Sequence, residues 1–89
     1  MTQLTFGHSF NQLLTKDVLP NSLTQLTFGY CFNQPLTTKD VLPDSLTQLI
    51  FSAYFQQPLI KNILPNSLLQ LIFGNDFNEP LEIDINNLV

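Results

Sequence analysis

The sequence has little of several residue types, and each shortage narrows the class of protein. Cys31 is the single cysteine, so no internal disulfide can form, which disfavours a crosslinked secreted domain and predicts a cytoplasmic location. Charged residues amount to only 11% beside 44% hydrophobic residues, a balance opposite to that of disordered chains. The basic residues number only 3, too few for a phosphate-binding surface, and nucleic acid is not expected as a partner.

Long apolar runs are also missing. The longest are a few residues, whereas a membrane-spanning helix needs about 20, so no membrane association is expected. The opening stretch, MTQLTFGHSF, has no basic segment ahead of an apolar one, and we expect no secretory signal.

What the sequence does contain is a repeat with successive periods of 22, 23 and 22 residues. One leucine and two phenylalanines recur in every copy, at Leu4, Leu26, Leu49 and Leu71, at Phe6, Phe28, Phe51 and Phe73, and at Phe10, Phe32, Phe55 and Phe77. A fixed period of this size is typical of a solenoid, whose turns stack and share a core. We therefore predict a single repeat domain over residues 1–89, with repeats at about 2–23, 24–46, 47–68 and 69–89.

Each repeat predicts one short strand and one return segment. Polar and apolar residues alternate in QLTF at 3–6, as in a strand with one buried face. Proline and turn residues, as in LPNS at 19–22, predict return segments that are extended or form a short 3-10 turn. Parallel strands joined by such crossovers wind right-handed. The prediction is a β-rich solenoid of about four turns, with the asparagine column (Asn11, Asn33 and Asn78, with Gln56) pointing inward to satisfy backbone groups.

Several motifs resemble the FNIP repeat, a leucine-rich-repeat-like family found in amoebal and giant-virus proteins. They are FNQLL at 10–14, FNQPL at 32–36, FQQPL at 55–59 and FNEPL at 77–81, with LPNSL or LPDSL starting at Leu19, Leu42 and Leu64. The departures are Leu13, Ser52, Gln56 and the absence of the LP motif from the last turn. The resemblance implies a leucine-rich-repeat-like coil and a non-enzymatic protein-interaction module, located in the host cytoplasm if the protein is viral.

The candidate partner-binding residues flank the strand leucines or follow the strands. Residue pairs after the strands differ between copies while their surroundings repeat, which is expected of a recognition surface and equally of an unconstrained loop. The glutamine column has a second interpretation too, because stacked amides stabilise a sheet. The candidates are His8, Gln25, Thr27, Tyr30, Gln48, Ile50, Tyr54, Gln70, Ile72 and Asn75.

The sequence predicts no catalytic, metal or cofactor site. His8 and Cys31 fall on adjacent turns, but no third residue is placed to orient them. The acidic residues of the last turn, Asp76, Glu79 and Asp84, lack calcium-loop spacing. The leading function is thus a scaffold that binds another protein. The alternative is a structural protein that forms dimers or filaments through its first turn and edge strands.

Overall fold

A computed structural model of the protein describes residues 2–36, 41–59, 63–74 and 77–78. It contains four strands of three residues each, β1 (Gln3–Thr5), β2 (Gln25–Thr27), β3 (Gln48–Ile50) and β4 (Gln70–Ile72). They form one sheet in the order β1-β2-β3-β4, with every neighbouring pair parallel. Residues of the same repeat column are direct partners, so Leu4 faces Leu26, which faces Leu49, which faces Leu71. The predicted β-rich coil is confirmed.

The core is built from the repeated leucines and phenylalanines. Phe28 and Phe51 are almost fully buried, and their ring centroids lie 5.3 Å apart with the planes 7° from parallel. Within one turn the two phenylalanines are closer, at 3.9 Å between Phe28 and Phe32. Leu4, Phe6 and Phe10 of the first turn are only partly buried, since they pack against one neighbouring turn. In the described part of the chain, the buried hydrophobic residues of the core are Leu14, Leu19, Leu23, Leu26, Phe28, Phe32, Leu36, Val41, Leu42, Leu46, Leu49, Phe51, Phe55, Leu59, Ile63 and Leu68.

The LP motif forms a tight turn that leads into β2, β3 and β4. The Leu23 N–H donates to the Pro20 carbonyl at 3.2 Å, and the Leu46 and Leu68 N–H groups donate to Pro43 and Pro65 at 3.2 Å each. In addition, the Ser67 hydroxyl donates to the Leu46 carbonyl of the preceding turn at 2.6 Å. In the described ranges, the return segments are extended chain with turns and bends.

The asparagine column joins successive turns, but from the surface of the coil. The Asn11 Oδ1 accepts a hydrogen bond from the Asn33 N–H at 2.8 Å, and the Asn33 Oδ1 accepts one from the Gln56 N–H at 3.0 Å. The prediction that these side chains satisfy backbone groups is confirmed. The prediction that they point into the core is wrong, because Asn11 is exposed and Asn33 only half-buried.

The glycine column exists because neighbouring turns approach closely. None of the three glycines has a positive φ. A Cβ on Gly29 would lie 2.1 Å from the Gly7 carbonyl oxygen, whereas one on Gly7 would meet nothing within 4 Å. Ser52, which replaces glycine in the third repeat, keeps the same turn, since its carbonyl accepts from the Phe55 N–H at 3.3 Å as Gly29 does from Phe32. The substitution therefore leaves the path of the chain unchanged.

Candidate functional site

One side of the sheet is formed by the residues that flank the central leucine of each strand. We call this surface the strand face; it consists of Gln3, Thr5, Gln25, Thr27, Gln48, Ile50, Gln70 and Ile72. The flanking positions are half-buried in β2 and β3, while Ile72 of β4 is 40% exposed. The parallel register sets the glutamines in one row and the threonines and isoleucines in another. The strand face thus carries six of the ten candidate residues, and they lie side by side.

The glutamine row of the strand face forms no ladder of hydrogen bonds between its amides in the described residues. In the described part of the chain, the side chains of Gln25, Gln48 and Gln70 make no hydrogen bond. The glutamines that do link turns are Gln34 and Gln57. The Gln34 Nε2 donates to the Asn11 Oδ1 at 3.1 Å, and the Gln57 Nε2 donates to the Asn33 Oδ1 at 3.0 Å. The amide groups of the strand face are therefore available to a partner.

A row of rings follows the strands, and we call His8, Tyr30 and Tyr54 the aromatic row. The His8 and Tyr30 rings are 5.1 Å apart and nearly parallel, at 4°. The Tyr30 and Tyr54 rings are 4.7 Å apart and tilted by 52°. Below them the backbones are joined, since the Cys31 N–H donates to the His8 carbonyl and the Tyr54 N–H to the Tyr30 carbonyl. The three rings form one continuous surface, although Tyr54 lies one column after the column shared by His8 and Tyr30.

Both tyrosines of the aromatic row are exposed, Tyr30 by 43% and Tyr54 by 54%. The Tyr30 ring is stacked on His8, and the Tyr54 ring is tilted against that of Tyr30. Exposed tyrosines suit a protein interface, because they combine a large apolar area with a hydrogen-bonding tip. The tenth candidate, Asn75, lies outside the described residues.

Leu69 is a surface residue that the sequence analysis missed. It precedes β4 and is 58% exposed, the highest value among the large apolar side chains of the described part. Its column otherwise holds Thr2, Thr24 and Thr47. That departure from a threonine column was the available signal in the sequence.

In the described residues, the side chains considered for catalysis or metal binding are not assembled into a site. His8 meets Cys31 through the backbone hydrogen bond, while its ring stacks on Tyr30. No three histidine, cysteine, aspartate or glutamate side chains come together there in a way that could hold a metal ion. Asp76, Glu79 and Asp84 lie outside the described ranges. The same ranges contain no helix with the length and apolar character that crossing a membrane requires.

The repeats of this chain are similar to those of known proteins. The FNIP Repeat family model matches residues 1–31, 10–54, 32–76 and 55–85. Among solved structures, CroV588, described as a novel circular LRR protein, is 46% identical with a TM-score of 0.59. The match covers 84% of this chain and 14% of that chain, so the chain corresponds to a small part of the length of CroV588. The search of curated proteins found no match.

Proposed function

Because the chain belongs to the FNIP repeat family, whose leucine-rich-repeat-like coil suits protein interaction, we propose that it is a non-enzymatic module that binds another protein. The binding surface is the strand face together with the aromatic row. The observation that carries this proposal is the set of unused amides at Gln25, Gln48 and Gln70. Structural hydrogen bonds between turns are made by other side chains, which leaves this row for a partner.

Exposed apolar side chains also support this surface as the binding site. Ile72 and Tyr54 are exposed on the strand face and the aromatic row, in a chain whose other large apolar residues are mostly buried. Exposed apolar patches of this kind mark interaction sites, and exposed tyrosine is common at the centre of interfaces. We place the interaction in the cytoplasm, where Cys31 stays reduced.

The test compares baits that differ only at this surface. The parent protein, Tyr30→Asp and Ile50→Lys are immobilised and exposed to a native cell extract, and captured proteins are quantified by mass spectrometry. Val18→Lys is the matched control, because Val18 is 56% exposed but lies on a return segment. We expect partners that are kept by Val18→Lys and lost by the other two variants, with all melting temperatures alike. Equal capture by all four baits would remove this surface as the binding site.

Self-association is a second candidate, favoured by the state of the first turn. Leu4 and Phe6 are partly buried, whereas their counterparts Leu26 and Phe28 are buried. In the described part of the chain, β1 is paired on one side only. An edge of this type can accept the last turn of another copy, which would produce dimers or filaments through a head-to-tail contact.

A further inference from the structure

The strand side of the coil becomes more apolar from the first repeat to the fourth. Two columns show this, the one that precedes the glutamine and the one that follows the strand leucine. Their residues are Thr2 and Thr5, then Thr24 and Thr27, then Thr47 and Ile50, then Leu69 and Ile72. The leucine and phenylalanine columns of the core stay constant along the same path, so this change alters the solvent side of the sheet and not its core side.

Leucine in place of threonine at position 69 does not stabilise the fold. The Thr24 hydroxyl donates to the Thr2 carbonyl at 3.0 Å, and the Thr47 hydroxyl donates to the Thr24 carbonyl at 3.1 Å. Leu69 keeps the backbone bond of the column, from its N–H to the Thr47 carbonyl at 2.8 Å, but has no hydroxyl to add the second. Because its side chain is mostly exposed, little core packing offsets that loss.

Leu69 instead lines a groove. The groove has a volume of about 330 Å³ and is bounded by Thr47, Gln48, Leu69 and Gln70. This is at the lower end of the range of about 300 to 1,000 Å³ that is usual for ligand sites, so the groove suits a bulky side chain with its adjoining backbone. The unused amides of Gln48 and Gln70 can both donate and accept hydrogen bonds there.

No charge borders this groove in the described part of the chain. The charged residues found there, Lys16, Asp17 and Asp44, all lie on return segments, and the columns on the strand side hold threonine, glutamine, leucine and isoleucine. A charged group brought into the groove would lose water without gaining an ionic partner. The described residues around the groove therefore suit an uncharged ligand.

Area argues against a second copy packed flat on this face. Four strands about 4.8 Å apart and three residues long cover roughly 200 Å², whereas a standard protein interface buries about 800 Å² per partner. A short segment that inserts one side chain needs no such area at this point.

We propose that the groove binds an uncharged, extended segment of a partner protein, with one bulky apolar side chain against Leu69 and backbone amides hydrogen-bonded to Gln48 and Gln70. This inference rests on the proposed function and names the chemistry of the partner. Binding driven by apolar contact and neutral hydrogen bonds depends little on ionic strength, in contrast to charge-steered recognition.

The probe is a phage-displayed library of random 12-residue peptides, selected on the parent protein; a synthetic copy of the most enriched peptide is then titrated. We expect enriched peptides with a large apolar residue among uncharged neighbours, and an affinity that changes less than twofold between 0.05 and 0.5 M NaCl. Leu69→Thr is expected to weaken binding at least tenfold while melting at or above the parent temperature, because it restores the threonine of its column. Val18→Thr, equally exposed on a return segment, is the control and should bind like the parent.

The outcomes distinguish the groove proposal from the broader proposal that the chain binds another protein. Enriched peptides that are charged and bind with strong salt dependence would overturn the groove assignment, as would unchanged binding by Leu69→Thr. If binding is lost in Tyr30→Asp but kept in Leu69→Thr, the interaction module stands and this groove is not its site. A library without enriched peptides, together with equal capture by all the baits of the earlier comparison, would remove both.

Discussion

At the scale of single residues, Asn33 connects its turn to both neighbouring turns. Its Oδ1 accepts hydrogen bonds from the Gln56 N–H at 3.0 Å and from the Gln57 Nε2 at 3.0 Å. Its own N–H donates to the Asn11 Oδ1 of the preceding turn. One carbonyl oxygen of a side chain thus serves a backbone donor and an amide donor of the next turn, and no side chain without an acceptor can replace it.

Two substitutions of Asn33 distinguish the role of its acceptor oxygen from that of the rest of the side chain. Asn33→Ala removes the acceptor of the Gln56 N–H and leaves the Gln57 Nε2 only the Asn33 backbone carbonyl, at 3.4 Å, so it is expected to lower the free energy of unfolding by about 1 to 3 kcal/mol. Asn33→Asp keeps an acceptor oxygen at the same place, so its loss should be clearly smaller. Urea denaturation followed by circular dichroism measures both. Equal losses in the two variants would show that the acceptor is not what matters at this position.

At the scale of the repeated elements, two parallel stacks of phenylalanine rings run through the coil. The ring spacing between turns is 5.5, 5.3 and 5.6 Å in the stack of Phe6, Phe28, Phe51 and Phe73. In the second stack it is 6.1, 6.0 and 5.9 Å. These distances follow from the parallel register of the strands, which are spaced about 4.8 Å apart. A ring in the middle of a stack has two neighbouring turns and a ring at its end has one.

Position within the stack sets the cost of removing a ring. Phe28 lies between Phe6 and Phe51, and Phe28→Ala is expected to cost about 3 to 5 kcal/mol. That is comparable with the whole stability of a chain this short, so the variant should be largely unfolded at 25 °C. Phe6 is half-buried, and Phe6→Ala should leave a folded protein with a lower melting temperature. Circular dichroism melts measure which variant is less stable. A Phe28→Ala variant that melts at as high a temperature as Phe6→Ala would contradict the prediction.

At the scale of the whole molecule, the architecture was predictable because the sequence repeats it. Each of the two phenylalanine columns and the leucine column fixes one row of the core, and their common period fixes the parallel register of β1 to β4. The proposed binding surface was predictable only in part. Side-chain alternation placed the glutamine row outside, but which glutamines bond between turns depends on distances that a column pattern does not contain. Leu69 departs visibly from its threonine column, but how far its side chain is exposed depends on packing that a column pattern does not contain.

The edge of the coil gives a test of self-association. The Gln25 N–H of β2 donates to the Thr2 carbonyl of the preceding turn, so the equivalent Gln3 N–H points away from β2. Gln3→Pro removes that outward donor and keeps the β1–β2 hydrogen bonds, as edge strands tolerate proline. Gln25→Pro is the contrasting variant, because it deletes a bond inside the sheet and should lower the melting temperature.

If copies join through β1, the mass measured by light scattering rises with concentration for the parent and stays that of a monomer for Gln3→Pro, with the melting temperature unchanged. A joining turn would accept hydrogen bonds from β1 as β1 accepts them from β2. Proline at position 3 has no N–H, so the first of these donors would be missing. A parent that remains monomeric at every concentration rules out this route to assembly. In that case the half-buried rings of the first turn only mark the end of the described stack, and binding to a different protein stays the one function that the surface supports.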